Sequence, residues 1–126
     1  MAVKSVVRIN KMRVRELQKA QITALEKTAE ALHTKVVQSE IMPRDGGTLQ
    51  NESTFVDYSE SSKGHVSLVS STPYARRLYF HPEYNFQKYE NAFAQGKWLE
   101  PWLSGGIYSD YCSKVYQRFY KKEADV

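Results

Sequence analysis

The spacing of hydrophobic and polar positions predicts a long helix near the start of the chain. Over residues 13–40, uncharged side chains recur every three or four positions, which places them on one face of an α-helix. This stretch has neither Gly nor Pro, and Asn10 is placed to cap or precede the helix. A helix of this length extends about 42 Å, so it must pack on a sheet for most of its length or present part of one face to another subunit. The stripe consists of Val14, Leu17, Gln21, Leu25, Thr28, Leu32 and Val36, flanked by Ala24, Ala29 and Val37.

Alternation of apolar and polar residues predicts three short strands. Residues 3–9 alternate loosely and suit a strand that precedes the helix. After an ordered loop over residues 42–53, the segments 53–59 and 65–70 alternate as well. The turn residues at 61–64 connect these two segments as a hairpin. In the first segment, one side of the strand carries Val3, Ser5, Val7 and Ile9.

Helical spacing returns in the second half of the chain. Pro73 opens a turn or a short helical piece over residues 74–79, and residues 107–122 form an amphipathic helix. Residues 85–97 are polar and irregular and predict a mobile loop that becomes ordered on assembly, while residues 123–126 are expected to fray. The positions at helical spacing in the last helix are Tyr108, Tyr111, Val115, Arg118 and Phe119.

These elements predict one α+β domain over residues 1–126. A long N-terminal amphipathic helix packs on a small, mainly antiparallel β-sheet, and a C-terminal helix completes the fold. Hydrophobic residues make up 41% of the chain and charged residues 25%, which is a globular composition and excludes general disorder. No apolar run reaches the roughly 18 residues that a membrane span needs, and the first residues lack the features of a signal peptide, so a cytosolic origin is expected.

Residues that carry chemistry are sparse and scattered. The three histidines, His33, His65 and His81, fall in different predicted elements without acidic or thiol neighbours at ligand spacing. No pair of carboxylates is marked out for acid–base catalysis. The single Cys112 cannot form an internal disulfide and is expected to be a small, half-buried residue. We therefore predict no catalytic residue, no metal site and no cofactor.

Two aromatic runs stand out instead. Residues 72–86 combine five aromatic side chains with two adjacent arginines and two prolines, and residues 96–103 place two tryptophans around a proline. Rings in the core with the arginines in ion pairs or subunit contacts would explain both runs, and this interpretation is favoured. Stacking on bases with arginines on phosphates is the alternative, and the net charge of +4 permits it. The candidate structural or interface residues are Tyr74, Arg76, Arg77, Tyr79, Trp98, Pro101 and Trp102.

The order of these features resembles the minor capsid proteins of tailed bacteriophages and prophages, which are related to head–tail joining, neck and tail-completion proteins. A long helix ends in the run Met42–Leu49, and a hairpin, the Thr72–Tyr79 run, the Gly96–Trp102 run and a last helix follow. The turn over residues 43–49 departs from the family pattern, with Gly where Thr is commoner and one residue more before Leu49.

The resemblance implies a virion structural protein without enzymatic activity. It would assemble as a ring of identical subunits in the neck, between the portal or connector and the tail, after synthesis in the bacterial host cytoplasm. Its partners would be other copies of itself and the neighbouring connector, adaptor and tail proteins, with incidental contact to phage DNA and none to a membrane. The alternative is a small basic nucleic-acid-binding module that uses the aromatic segment around Arg76 and Arg77.

Overall fold

The computed structural model describes residues 3–42, 54–71, 73–83, 86, 88, 91 and 93–126. A long first helix, a two-stranded antiparallel sheet and a C-terminal helix confirm the predicted α+β architecture. The elements are α1 (Lys11–Gln38), β1 (Thr54–Asp57), β2 (Ser67–Ser70), α2 (Pro73–Tyr79) and α3 (Tyr111–Ala124), with short 3₁₀ turns at Ser61–Lys63 and Glu100–Trp102.

The first helix begins at its predicted cap. The side-chain oxygen of Asn10 accepts a hydrogen bond from the backbone N–H of Arg13 at 3.1 Å, which satisfies one of the free donors of the first turn. The side that α1 buries is narrower than the predicted stripe, because Val14 is 40% exposed and Gln21 is also exposed. The buried positions are mostly small, which lets a second helix approach closely: Ala20, Ala24, Thr28, Ala29 and Val36.

The second helix is α3, which runs antiparallel to α1. The hydroxyl of Tyr111, at the start of α3, donates to the carbonyl of Ala31 at 3.4 Å. At the other end, the guanidinium of Arg13 donates to the carbonyl of Ala124 at 2.5 Å. The long helix is therefore covered largely by another helix, and the sheet covers only part of it.

Both predicted ends of α3 were wrong. The helix starts at Tyr111 instead of residue 107, because the backbone N–H of Tyr108 donates to the carbonyl of Pro101 and holds the preceding residues in a turn. The predicted fraying over residues 123–126 is also wrong. Ala124 is 1% exposed, and Asp125 closes the helix in the left-handed conformation with its N–H on the last carbonyls.

The hairpin has the predicted antiparallel pairing. Thr54 pairs with Ser70 and Asp57 with Ser67, and the hydroxyls of Thr54 and Ser70 lie 2.8 Å apart. Gly64 follows the 3₁₀ turn with a φ of +85°, a conformation that suits glycine. The strands are shorter than predicted, at four residues each.

The strand predicted over residues 3–9 was wrong. These residues belong to no helix or strand and are all exposed. Their alternation is compatible with a strand, but within the described part of the chain no neighbouring strand pairs with them. The predicted loop over residues 42–53 falls outside the described residues from position 43 onward, as does the turn at 43–49 on which the family resemblance partly rests.

The main core lies where α1 ends. It is built from Val36, Ile41, Met42, Ala75, Leu78, Trp98 and Trp102, and Leu32 and Leu68 pack against it. The described part of the predicted loop 85–97 is tied to this core. The backbone N–H of Gln95 donates to Ile41 at 3.0 Å, and the buried side chain of Asn91 donates to the carbonyl of Met42 at 2.8 Å. Ordering of this segment on assembly stays a prediction.

Candidate interaction surface

The first tryptophan is held between α2 and the segment that follows it. Trp98 is 1% exposed, and its ring meets that of Tyr79 edge-on, with centroids 4.8 Å apart. The backbone N–H of Lys97 donates to the carbonyl of Tyr79 at 2.7 Å, which joins the two segments. A side chain on Gly96 would come within 2.7 Å of Pro82, so the residue before Lys97 must be glycine for this approach. Trp98 is therefore a core residue.

The second tryptophan lies among several closely packed turns. Trp102 is 7% exposed and its ring lies 5.5 Å from that of Tyr108. The carbonyl of Pro101 accepts from the backbone N–H of Tyr108 at 2.6 Å. A Cβ at Gly106 would lie 2.3 Å from the carbonyl oxygen of Glu100 and 2.5 Å from that of Pro101. The run from Trp98 to Trp102 therefore packs so closely against Gly106 that no side chain would fit at that position.

Both buried indole rings contain an N–H group, which costs free energy when it is left without an acceptor. Among the described residues, the buried Nε1 of Trp98 and the buried Nε1 of Trp102 have no hydrogen-bond partner, and neither has Nε2 of His33. Indole nitrogens in protein interiors usually find an acceptor, because an unpaired buried donor costs free energy. The tryptophans therefore stabilise this core through packing alone.

The short helix α2 separates its small and apolar side chains from its charged ones. Ala75 and Leu78 are buried in the core, and Arg76 and Arg77 are exposed. Tyr79 is half-buried, and its burial, followed by the negative charge of Glu100, raises the pKa of its hydroxyl above the ordinary value of 10.0. Of the remaining candidates, Tyr74 belongs to α2 and Pro101 is half-buried.

The structure thus gathers the sequence candidates into one region but divides their roles. The two tryptophans and Tyr79 support the fold, and the two arginines face solvent. A cavity of about 280 Å³ lies at this boundary and is lined by Arg76, Tyr79 and Trp98 among others.

Three exposed apolar side chains lie around a cavity next to Trp102, and the sequence candidates did not include them. Ile107 is 81% exposed, Phe93 68% and Tyr108 46%. These three residues line a cavity of about 750 Å³ together with Ile41, Pro101 and Trp102, and Lys35 and Glu100 contribute opposite charges to its lining. We call Phe93, Ile107 and Tyr108 the junction surface. Leu103, close by in the chain, is 54% exposed.

Sequence reasoning missed the junction surface for an identifiable reason. Tyr108 was assigned to the apolar stripe of a helix starting at residue 107, and Phe93 to a polar loop. The signal that was available is Gly105 and Gly106 immediately before Ile107, since two glycines favour a continued turn over a helix start.

A larger cavity lies between the two long helices. It has a volume of about 860 Å³ and is lined by Gln18, Gln21, Cys112 and Tyr116 among others, with the hairpin turn at one side. Cys112 is half-buried, as expected, and burial raises the pKa of its thiol. Within the residues described, no three His, Cys, Asp or Glu side chains converge as metal ligands would.

No known protein family, curated protein or solved structure matches this chain. In the described ranges, no helix is both long enough and apolar enough to cross a membrane.

Proposed function

We propose that this protein is a structural subunit of a tailed-phage neck, which assembles with copies of itself into a ring between the portal or connector and the tail. The observation that carries the proposal is the junction surface, where the apolar side chains of Phe93, Ile107 and Tyr108 are exposed to solvent around a cavity. Contiguous exposed apolar area of this kind is characteristic of sites where another protein binds. The kind of assembly is inferred from the resemblance between the aromatic segments of this sequence and those of phage minor capsid proteins.

The make-up of the junction surface suits a subunit contact. Aromatic and large aliphatic side chains dominate the buried centre of protein interfaces, and charged residues lie at their rim. Ile107 and Tyr108 can supply such a centre, and Lys35 and Glu100 can supply rim charges of both signs. Proposed partners are a second copy of the chain and the adjoining connector, adaptor and tail proteins. The proposal places the protein in the virion, and in the host cytoplasm before assembly, without assigning it a catalytic role.

Electron microscopy of phage particles that lack this gene tests the proposal. We expect filled or emptied heads lying apart from complete, free tails. A plasmid copy should restore joined particles, and a copy carrying Ile107→Ser and Phe93→Ser should not. Val126→Ser is the matched control, because Val126 is 71% exposed but lies away from the junction surface in the chain. Normal joined virions without the gene would refute a neck role.

A nucleic-acid-binding module is the second candidate, and one observation favours it. Arg76 and Arg77 are exposed on α2, and Phe80, 59% exposed, follows them. An exposed ring beside guanidinium groups can stack on a base while the charges contact phosphates. This function predicts submicromolar binding to single-stranded DNA or RNA that falls steeply with salt. Replacing both arginines with alanine should then abolish binding, whereas a wild-type protein without measurable affinity at low salt would exclude the module.

A further inference from the structure

The first part of the chain exposes many apolar side chains close together. Five of them, all within residues 3–12, are between 71% and 88% exposed, and Val14 on α1 is 40% exposed. Single apolar side chains on a surface are ordinary, but a contiguous group of them marks a place where a protein or a membrane binds. The five side chains are those of Val3, Val6, Val7, Ile9 and Met12.

The same part of the chain carries charge of almost one sign. Residues 3–19, which we call the basic segment, contain six cationic side chains and one acidic side chain, Glu16. The carboxylate of Glu16 is paired with Arg13 at 3.2 Å, and Arg13 also donates to the carbonyl of Ala124. The other five cations are exposed, and no carboxylate of the described residues pairs with them. They are Lys4, Arg8, Lys11, Arg15 and Lys19.

The exposed cations on α1 form a stripe along one side of the helix. Lys11, Arg15 and Lys19 follow one another at four-residue intervals, so they line up about 6 Å apart along the axis. Ala20 and Ala24 are buried, and each lies five positions after a cation of the stripe, which places it about 140° around the helix. The helix therefore packs on the protein by one side and presents its cations to solvent on the other.

We propose that the basic segment binds to the surface of a membrane that contains anionic lipids. The negative headgroups of such a surface attract cationic side chains, and the boundary between headgroups and acyl chains takes up apolar side chains. Long lysine and arginine side chains can reach the headgroups while their neighbours enter this boundary. A nucleic acid would neutralise the cations through its phosphates but would leave the valines in water. The combination of unpaired cations and exposed apolar side chains therefore favours a lipid surface.

Membrane binding goes beyond the proposed neck function and does not rest on it. The resemblance to phage minor capsid proteins implied no membrane contact, whereas the side chains of the basic segment are themselves the reason to propose one. The basic segment and the junction surface share no residue, so each can be altered without the other.

Co-sedimentation of the full chain with lipid vesicles measures the binding. One set of vesicles consists of phosphatidylcholine alone, and the other contains about one third phosphatidylglycerol, which is anionic. We expect the wild type to bind the anionic vesicles only. The binding should weaken between about 0.1 M and 0.5 M salt, because salt screens the attraction between the cations and the headgroups. Duplex DNA, tested at the same salt concentrations, is the competing partner.

A first pair of substitutions tests the charges. Arg8→Gln with Lys11→Gln removes two exposed cations of the basic segment. Each cation close to an anionic surface strengthens binding about fivefold, so this variant should bind the anionic vesicles about 25-fold more weakly. Lys121→Gln with Lys122→Gln is the matched control, because it makes the same change of net charge at exposed positions of α3. Equal weakening by the control would show that the basic segment is not the binding site.

A second pair tests the apolar side chains. Val6→Ser with Val7→Ser should weaken the binding at least about tenfold, because each carbon group that leaves the lipid boundary weakens it about fourfold. Leu103→Ser with Val126→Ser is the matched control, since both side chains are exposed outside the basic segment, and it should bind like the wild type. All these substitutions are at exposed positions, so far-UV circular dichroism and the melting temperature should stay close to those of the wild type.

Three results would overturn membrane binding. The first is wild-type protein that sediments with neither kind of vesicle at low salt. The second is a serine variant that binds the anionic vesicles as tightly as the wild type, because the apolar side chains would then take no part. The third is tighter binding of duplex DNA than of the anionic vesicles, which would identify a nucleic acid as the partner. None of these results bears on the neck proposal, which the particle test decides separately.

Discussion

Replacing Trp98 by phenylalanine should cost far less stability than its burial suggests. Trp98 is 1% exposed and lies in the main core, so its replacement by alanine should destabilise the protein by about 3–5 kcal/mol. Phenylalanine keeps an aromatic ring against Tyr79 and removes the indole N–H, which has no partner among the described residues.

Two opposing energies decide the size of the effect. The smaller ring of phenylalanine forfeits roughly 1.5–2.5 kcal/mol of transfer and cavity energy. Removing an unpaired buried donor recovers about 1–3 kcal/mol, the cost of keeping such a group out of water. The net change for Trp98→Phe is therefore expected within about 1.5 kcal/mol of zero, and the alanine variant should be at least about 1.5 kcal/mol less stable than the phenylalanine variant.

Urea unfolding followed by circular dichroism measures these free energies, and the fluorescence of the remaining Trp102 gives a second probe of the same transition. Phe80→Ala is the control, because Phe80 contacts Tyr79 but is 59% exposed, and it should change stability by less than about 1 kcal/mol. A phenylalanine variant as unstable as the alanine variant would refute the compensation. An alanine variant that unfolds like the wild type but fails to associate would place Trp98 at an interface instead of in the core.

Three further predictions concern the turn, the start of α3 and the thiol. Gly106→Ala would push a methyl group against two backbone carbonyl oxygens and should lower the free energy of unfolding, measured in urea, by about 1–3 kcal/mol. Ser104→Ala is the control, because Ser104 is exposed in the same turn, and it should change this free energy by less than about 0.5 kcal/mol. Equal effects of the two substitutions would contradict the close contact at Gly106. The Lys114 ammonium lies 2.7 Å from the Asp110 carboxylate and lowers the pKa of Asp110 below 3.8. The pair therefore stabilises the folded protein above pH 3.8, and this stabilisation is lost as the pH falls through the lowered pKa. In Lys114→Gln, an NMR titration should show a higher pKa for Asp110, and an unchanged value would rule out the pairing. Burial raises the pKa of the Cys112 thiol, which leaves less of the reactive thiolate. Iodoacetamide at pH 8 should therefore alkylate Cys112 more slowly in the folded protein than in urea, and equal rates would show that the thiol is not protected.

The elements that the sequence predicted best are those decided by local rules. Asn10 caps α1 because a short polar side chain there can reach the N–H of Arg13. The hairpin forms because its alternating segments are joined by residues that favour a tight turn, ending at Gly64. Such signals depend on neighbours within a few positions, so one sequence is enough to identify them.

The errors arose where distant parts of the chain decide the outcome. Residues 3–9 have a strand pattern, but a strand also needs a neighbour, and the alternation does not report whether one is present. Ala124 was expected to fray because it lies near the chain end, yet its carbonyl bonds to Arg13, more than a hundred positions away. Both tryptophans were singled out, but only the packing around Gly96 and Gly106 assigns them to the core.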